Sequence, residues 1–310
     1  MNKKTLFNIG LGMLICLTGC SSSPAAESTK ETAKTEEKSD SKVEEKEKTP
    51  YDVLLDAITK DQEWSSWSSE TTNTYHRPDF EKSNGGNPVE GSYESYVNSM
   101  KTKDAFYQIM EDDYADFTDY KIQKTTDQES ISVAAVRTGN GDEMLSNYFI
   151  RNKSSKEKYK TESSPYALDG DFFEKTDLFD STQSQDGDNT IVKFSLKDGK
   201  KFQDYLVTNL HYEAKQQLPD GTEIESYLYS KYEMTFTIDK EGYLQSYHLD
   251  MIEKNTENQE SNYSISVKFY NENSTKVDSE VIDEVMSRVP ETGVHGQLDV
   301  TFNCGAVVKP

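Results

Sequence analysis

The chain has 310 residues, a formal charge of −22 from 56 acidic and 34 basic residues, and a mean hydropathy of −0.85. A surface this acidic repels nucleic acid, anionic headgroups and phosphate-rich polymers, which argues against these as partners except through bound cations. The cysteines are Cys16, Cys20 and Cys304, so no disulfide can form within residues 50–310 and that part must hold together by packing.

The first residues read as a targeting segment. Asn2-Lys3-Lys4 is a basic start, and Leu6 to Leu17 is an apolar run too short to span a bilayer comfortably. Leu17-Thr18-Gly19-Cys20 then matches a lipobox, which predicts cleavage after residue 19 and diacylglycerol on the Cys20 thiol. Two acyl chains are what stable anchoring requires, so the expected location is the extracytoplasmic face of the cell membrane, with the membrane itself as a partner. After Cys20, residues 21–49 are almost entirely Ser, Thr, Ala, Glu and Lys, with one Pro and a single large aliphatic, Val43. Such a stretch cannot bury enough apolar surface to offset its ordering entropy, and reads as a disordered tether of roughly 30 Å r.m.s. span. Residues 50–310 are long enough to bury a sizeable core, as one large domain or two small ones, and their strand-rich pattern reads as a single β-rich domain.

That domain opens on a helix. Thr49 is placed as N-cap, Pro50 stands at the first helical position, Asp52 completes a capping box, and Tyr51, Leu54, Leu55 and Ile58 form a stripe. Trp64 and Trp67 begin a strand reaching Tyr75. Tyr93 to Met100 and Asp104 to Met110 read as strands, with Tyr93, Val97, Tyr107 and Ile109 pointing inward. Ile131, Val133 and Ala135 mark another, Met144, Tyr148 and Ile150 the next, and a further one is expected around Tyr159. Asp169 to Phe179 reads as a helix carrying Phe172, Phe173 and Phe179. Val192, Phe194 and Leu196 alternate into a turn at Asp198-Gly199, before a second amphipathic helix with Phe202, Tyr205, Leu206 and Leu210.

The clearest pattern runs from Ser230 to Asn271 as three antiparallel strands. Tyr232, Met234, Phe236 and Ile238 alternate with polar residues. Asp239-Lys240-Glu241-Gly242 makes a turn, and Tyr247, Leu249 and Met251, then Tyr263, Ile265, Val267 and Phe269, repeat the alternation. One face of this meander is apolar and must be covered by the chain's own helices or by an apolar ligand. Its candidate ligand lining is Met234, Phe236, Ile238, Leu249, Met251, Ile265, Val267 and Phe269. Val281, Ile282, Val285, Met286 and Val289 give a last helix stopped by Pro290, and Leu298, Val300, Phe302 and Cys304 a last strand. The order of elements is strand-rich with a few helices, an α+β chain without alternating βα units.

Residues that carry chemistry are sparse. His76, His211, His248 and His295 show no metal-ligand spacing, and His248-x-Asp250 puts two side chains on the wet side of one strand. Ser65, Ser66, Ser68 and Ser69 lack a nucleophile-elbow context. Glu111, Asp112, Asp113, Asp116 and Asp119 lack calcium-loop spacing, and Cys304 falls on the apolar parity of its strand. No catalytic residue, cofactor or metal is expected.

The domain resembles the LolA-like superfamily of lipid and lipoprotein carriers and related Gram-positive surface lipoproteins. The likeness rests on the lipobox and tether before a helix that runs into a strand, and on the block from Thr190 to Asn271. There Val192-Lys193-Phe194-Ser195-Leu196-Lys197-Asp198-Gly199 precedes a helix. Phe236-Thr237-Ile238-Asp239-Lys240-Glu241-Gly242-Tyr243-Leu244 is similar to the family's strand–turn–strand hairpin. The resemblance implies a strongly curved, mainly antiparallel half-barrel sheet with helices over its concave face. It further implies a non-catalytic lipoprotein that binds an apolar ligand, a lipid or a partner lipoprotein. The alternative is a protein-interaction or sensor module with a closed core and no small-molecule ligand.

Overall fold

A computed structural model describes residues 48–78, 89–114, 118–138, 143–156, 159, 173–209, 215–217, 223–225, 228–254 and 259–310. The signal segment, Cys20 and nearly all of the expected tether therefore lie outside the described residues. The domain is α+β: among the described residues, a curved, open, antiparallel sheet of 13 strands with three helices. Its strands are β1 (Ser66–Arg77), β2 (Val89–Lys101), β3 (Phe106–Asp113), β4 (Thr118–Thr125), β5 (Glu129–Arg137) and β6 (Met144–Lys153). They continue as β7 (Phe179–Asp186), β8 (Asn189–Leu196), β11 (Leu228–Ile238), β12 (Leu244–Lys254) and β13 (Glu260–Tyr270), with β14 (His295–Gly296) and β15 (Thr301–Phe302) as short additions to the β6 edge. β9 (Lys215–Gln217) and β10 (Glu223–Glu225) form a separate pair. The helices are α1 (Pro50–Asp61), α2 (Gly199–Asn209) and α3 (Ser279–Ser287).

Side chains start and aim each helix. In α1 the Thr49 hydroxyl accepts from Asp52 N at 3.2 Å while the Asp52 carboxylate accepts from Thr49 N at 2.9 Å, a reciprocal box ahead of Pro50. Asp198 Oδ1 accepts from Lys200 N and Lys201 N at the start of α2, and Asp278 caps α3 through Val281 N. Gly199 is required by close approach: a Cβ there would stand 1.7 Å from the Tyr229 carbonyl oxygen. The far end of α1 is tied to the β11–β12 turn. Asp61 accepts from Leu244 N, Lys60 Nζ donates to Glu241 O, and Trp64 stacks on Tyr243 with centroids 5.9 Å apart.

The sheet runs β14-β6-β5-β4-β3-β2-β1-β13-β12-β11-β8-β7, so β1 joins the early strands to the later ones. Its two halves bury opposite faces. In the half β1-β13-β12-β11-β8-β7, one face, here the front, lies under α1 and α2. Phe236, Met234, Leu249, Ile265, Phe194 and Val192 pack there with Leu54, Ala57, Phe202 and Leu206. In the half β2 to β6 the back face is buried instead, where Ile109, Ile122, Ile131, Val133 and Phe149 meet Ile282, Val285 and Met286 of α3 and the C-terminal tail. At the Trp67 end of β1 and the adjoining end of β2 both faces are covered. Trp67 is buried in front and stacked on Phe106 at 5.6 Å, while Ser68, fully buried behind, hydrogen-bonds Asn98 at 3.0 Å and Thr275 at 2.8 Å.

Several expected elements are corrected. Phe179 opens β7 instead of closing a helix, since only Phe173 and Glu174 of that stretch are helical among the described residues. Tyr93 and Val97 stand on the front face of β2, whereas Tyr96 takes the buried back position, because α3 covers the back of this half. Tyr159 belongs to a helical turn, with its N–H on Ser155 O. The last strand shrinks to Thr301–Phe302, although Leu298 and Cys304 are buried as their parity suggests. The helices do not all lie on one face: α3 stands behind the sheet.

Candidate functional site

The front of the meander holds all eight candidate lining residues together. Register explains the grouping: Phe236 stands opposite Tyr247, Met234 opposite Leu249, and Leu249 in turn opposite Ile265, so the three apolar parities fall on one side. Seven of the eight are buried, Met234 and Phe236 completely, and Met251 is half-buried on the same cluster. Aromatic side chains from outside the meander occupy this face: Phe173 lies 5.9 Å from Phe236 edge-on and 4.5 Å from Phe194, and Phe179 and Phe202 stand 5.3 Å apart. Burial pushes the Tyr232 and Tyr247 hydroxyls far above the ordinary tyrosine range. The face is thus lined by the predicted residues and covered by α1, α2 and these rings.

The back of the same strands is open and polar. Cross-strand register places His248 beside Ser266 and Asp250 beside Ser264. His248 Nδ1 lies 2.8 Å from Ser266 Oγ and its Nε2 3.1 Å from Asp250 Oδ1; Asp250 Oδ2 accepts from Lys231 Nζ at 3.0 Å. Partial burial raises the Asp250 pKa, but hydrogen bonds from Lys231 and Ser264 and the charges of Lys231 and His248 outweigh it and hold the carboxyl below its usual range. Alongside runs a groove of about 430 Å³ whose walls mix Thr74, His76, Lys231 and Asp250 with Met251, Ile252 and Tyr263. At its rim His76 Nδ1 meets the Glu90 carboxylate at 3.1 Å.

Hydroxyl, imidazole and carboxylate thus follow one another as nucleophile, base and orienter do in acyl transfer. The surroundings differ from such a site. β13 is paired on both sides, so the N–H groups flanking Ser266 are used in the ladders with β1 and β12 instead of converging on an oxyanion. His248 and Asp250 keep 43% and 33% of their side chains in solvent, and Lys231 neutralises the carboxylate. The arrangement suits contact with a polar, hydrogen-bonding partner. Sequence reading found His248 and Asp250 but missed Lys231, Ser264, Ser266 and Glu90, whose proximity depends on register between strands distant in the chain.

The acidic stretch is divided by strand alternation. Glu111 and Asp113 face the back, where Lys309 reaches both at 2.7 Å and 2.6 Å and Arg137 lies 3.6 Å from Glu111. Asp112 and Asp119 face the front as register partners, and burial raises the pKa of both. Asp116 lies outside the described residues, as does His211. Among the described residues no group of three or more His, Cys, Asp or Glu is placed to hold a metal ion. Ser65 is tied to Asn273 Oδ1, and Ser66, Ser68 and Ser69 are buried beside Trp67. Cys304 is free and buried, and burial pushes its thiol up to about 11. His295 stacks on Tyr148 at 6.2 Å. Among the described residues no helix is long and apolar enough to cross a membrane.

No family model matches the chain, and no curated protein matches it. Among solved structures, the ywiB protein from Bacillus subtilis aligns at 7% identity over 66% of this chain and 92% of its own, with a TM-score of 0.19. A beta-barrel-like protein of domain of unknown function DUF1849 from Brucella abortus aligns at 10% identity over 67% of this chain and 96% of its own, also with a TM-score of 0.19. Likeness at that level carries no argument about this chain.

Proposed function

We propose that the chain is a non-catalytic lipoprotein, anchored at the extracytoplasmic membrane face through Cys20, whose β-rich domain is a protein-interaction or sensor module. One observation carries this reading over a lipid carrier. The apolar face of the meander is occupied by α1, α2 and the rings of Phe173 and Phe179, while the opposite face of the same strands stays open. A ligand on the front would have to displace the helices, each docked through buried side chains such as Leu54 and Phe202. The groove behind meets a partner without any rearrangement. It sets the ion-paired Lys231 and Asp250 beside the apolar Met251, Ile252 and Tyr263, a mixed surface of the kind reversible protein contacts use.

Native mass spectrometry of residues 48–310 tests the choice. A mass free of lipid, unchanged on addition of fluorescent lipid analogues, is expected, and co-purifying lipid would restore the carrier. The anchor is tested separately. Cys20→Ala should abolish incorporation of labelled fatty acid and leave the precursor uncleaved; unchanged labelling would remove the lipoprotein assignment.

A further inference from the structure

The two edges of the large sheet are finished differently. Along β6, the short strands β14 and β15 pair with the outer side, and Val294 O and Val300 O accept from Arg151 N and Ser146 N. At the other edge β7 is paired with β8 on its inner side, and among the described residues no strand lies along its outer side. Seven of its eight residues, Asp180 to Asp186, are exposed.

The hairpin fixes which backbone groups face outward. Asp186 pairs with Asn189, leaving Gly187-Asp188 as a two-residue loop, and the positive φ of 59° falls on Gly187 as a type II′ turn requires. The pair closing such a loop exchanges both of its hydrogen bonds, and bonded and non-bonded pairs then alternate along the ladder. The N–H and C=O groups of Thr182, Ser184 and Asp186 therefore point at β8, and those of Ser181, Gln183 and Gln185 point away from the sheet.

Edge strands are ordinarily blunted by Lys, Pro, a bulge or a covering segment. β7 has no Lys or Pro, and its register with β8 runs from Phe179↔Leu196 to Asp186↔Asn189 without a shift. Its only charges are Asp180 and Asp186, placed symmetrically about Gln183 on one side of the strand. That symmetry selects the partner. A second copy adding antiparallel about Gln183 would set Asp180 against the other copy's Asp186 at both ends, and like charges directly opposite are destabilising. An extended segment with cations at those two positions gains an ion pair at each end. Lys197 lies 2.9 Å from Asp180, whose side chain nevertheless remains 72% exposed to a second cation.

We propose that β7 is a docking edge for an extended segment of a partner protein carrying basic residues six positions apart, added as a further antiparallel strand. Main-chain bonds to Ser181, Gln183 and Gln185 hold the segment, and Asp180 and Asp186 select its charge. The inference rests on the reading of the chain as an interaction module and names one of its contacts.

The test uses the full chain in detergent and a synthetic peptide, Lys-Thr-Val-Thr-Val-Thr-Lys, with blocked ends. The expected result is saturable binding that slows amide exchange at Ser181, Gln183 and Gln185. Binding should weaken by about tenfold or more with Glu at both peptide ends, and likewise when the peptide's central amide is N-methylated. Gln183→Pro removes one outward N–H without touching the β8 ladder and should abolish binding, while Asp180→Lys with Asp186→Lys should invert the preference to the Glu-ended peptide. The N-methylated peptide keeps the test decisive if Gln183→Pro fails to fold. Absence of binding, or binding indifferent to N-methylation, overturns the proposal. Protection appearing instead at Thr74, Asn262 and Ser264 also overturns it but leaves the interaction module standing. Lipid retained by the domain would defeat that module without bearing on the edge.

Discussion

The two halves of the sheet alternate alike, yet each buries the face the other leaves to solvent. The later half packs its front with rings, Phe173, Phe179, Phe194, Phe202 and Phe236, in mostly edge-to-face contacts under α1 and α2. The earlier half packs its back with Ile109, Ile122, Val133, Ile282 and Val285 under α3. What is open in one half, the His248 and Asp250 face, lies opposite what is open in the other, where Tyr148 and Ile150 are exposed. The change of side happens at β1 and β2. A strand covered on both sides has room for few large groups, and Ser66, Ser68, Ser69, Asn98 and Ser99 fill that strip around Trp67. Which face is inside is decided by where a helix comes to rest. α3 follows β13 in the chain yet covers strands β2 to β6, which alternation alone does not encode.

The sharpest way to break the comparison is to weaken each core separately. Phe236→Ala should cost about 3–5 kcal/mol and Ile282→Ala about 2–5 kcal/mol, since both side chains are completely buried. Both tryptophans, Trp64 and Trp67, lie in the front cluster, so fluorescence reports the front core and not the back core under α3. Because the β1–β2 strip is buried on both faces, Ile282→Ala should move the fluorescence transition in urea as far as the far-ultraviolet dichroism transition. A fluorescence midpoint that stays put would show two independently unfolding halves.

The next effect sharpens how α1 joins the later half. Asp61 is fully buried, and desolvation pushes its carboxyl up to about 8 despite the hydrogen bond from Leu244 N. The folded state therefore keeps a proton that the unfolded chain has already lost above its ordinary pKa of 3.8. Stability should fall as pH rises from about 4 to about 8, with a slope of at most about 1.4 kcal/mol per pH unit. Asp61→Asn retains the acceptor for Leu244 N and should flatten that slope, read from urea midpoints across this range. An unchanged slope would place the titrating proton elsewhere.

On the earlier half the matching contact is smaller. Lys309 holds Glu111 and Asp113 and lies 4.4 Å from the centroid of Tyr96, closing the tail over the back core. Lys309 is 41% exposed but Glu111 only 7%, and Arg137 at 3.6 Å is the cation that remains to it, so Lys309→Ala should cost about 1–3 kcal/mol. Burial raises the Asp113 pKa, but the hydrogen bonds from Lys309 and Thr118 outweigh it and hold the carboxyl below the usual range. The stability it contributes is present at neutral pH and is lost as pH falls through that depressed value. The variant should shrink this acid-side loss to the part that Thr118 sustains, and equal acid sensitivity in both proteins would show that the clasp contributes nothing.

Much of this was legible locally. The Thr49–Asp52 box, the three strands of the meander and the α3 stripe each follow from residues close in sequence, and all stand where the pattern put them. β7 was missed because Asp180 to Asp186 is polar on both faces: an edge strand has no need to alternate when neither side is covered. The parity of β2 was misread because Tyr93 and Tyr96 are equally plausible inward residues until α3 chooses between them. The candidate site divides in the same manner. Its apolar set was read from alternation, but the aromatic cover comes from residues outside the meander, and the polar set on the back depends on register.

The smallest expected effect concerns that polar set and separates a contact surface from a structural one. His248 stands on the open face, bonded to Ser266 and Asp250 but touching no buried core, so little packing is lost in His248→Ala. Asp250 keeps Lys231 and Ser264 when the imidazole is removed, so no buried charge is stranded. The change in stability should stay within about 0.5 kcal/mol, as for surface substitutions generally. The same holds for His76→Ala, whose partner Glu90 is 69% exposed. If the groove is where a partner sits, these two variants should weaken capture of that partner at unchanged urea midpoints. A loss of stability well beyond 0.5 kcal/mol would instead make the His248 network a brace between β12 and β13, and the open face would lose its claim as the place of contact.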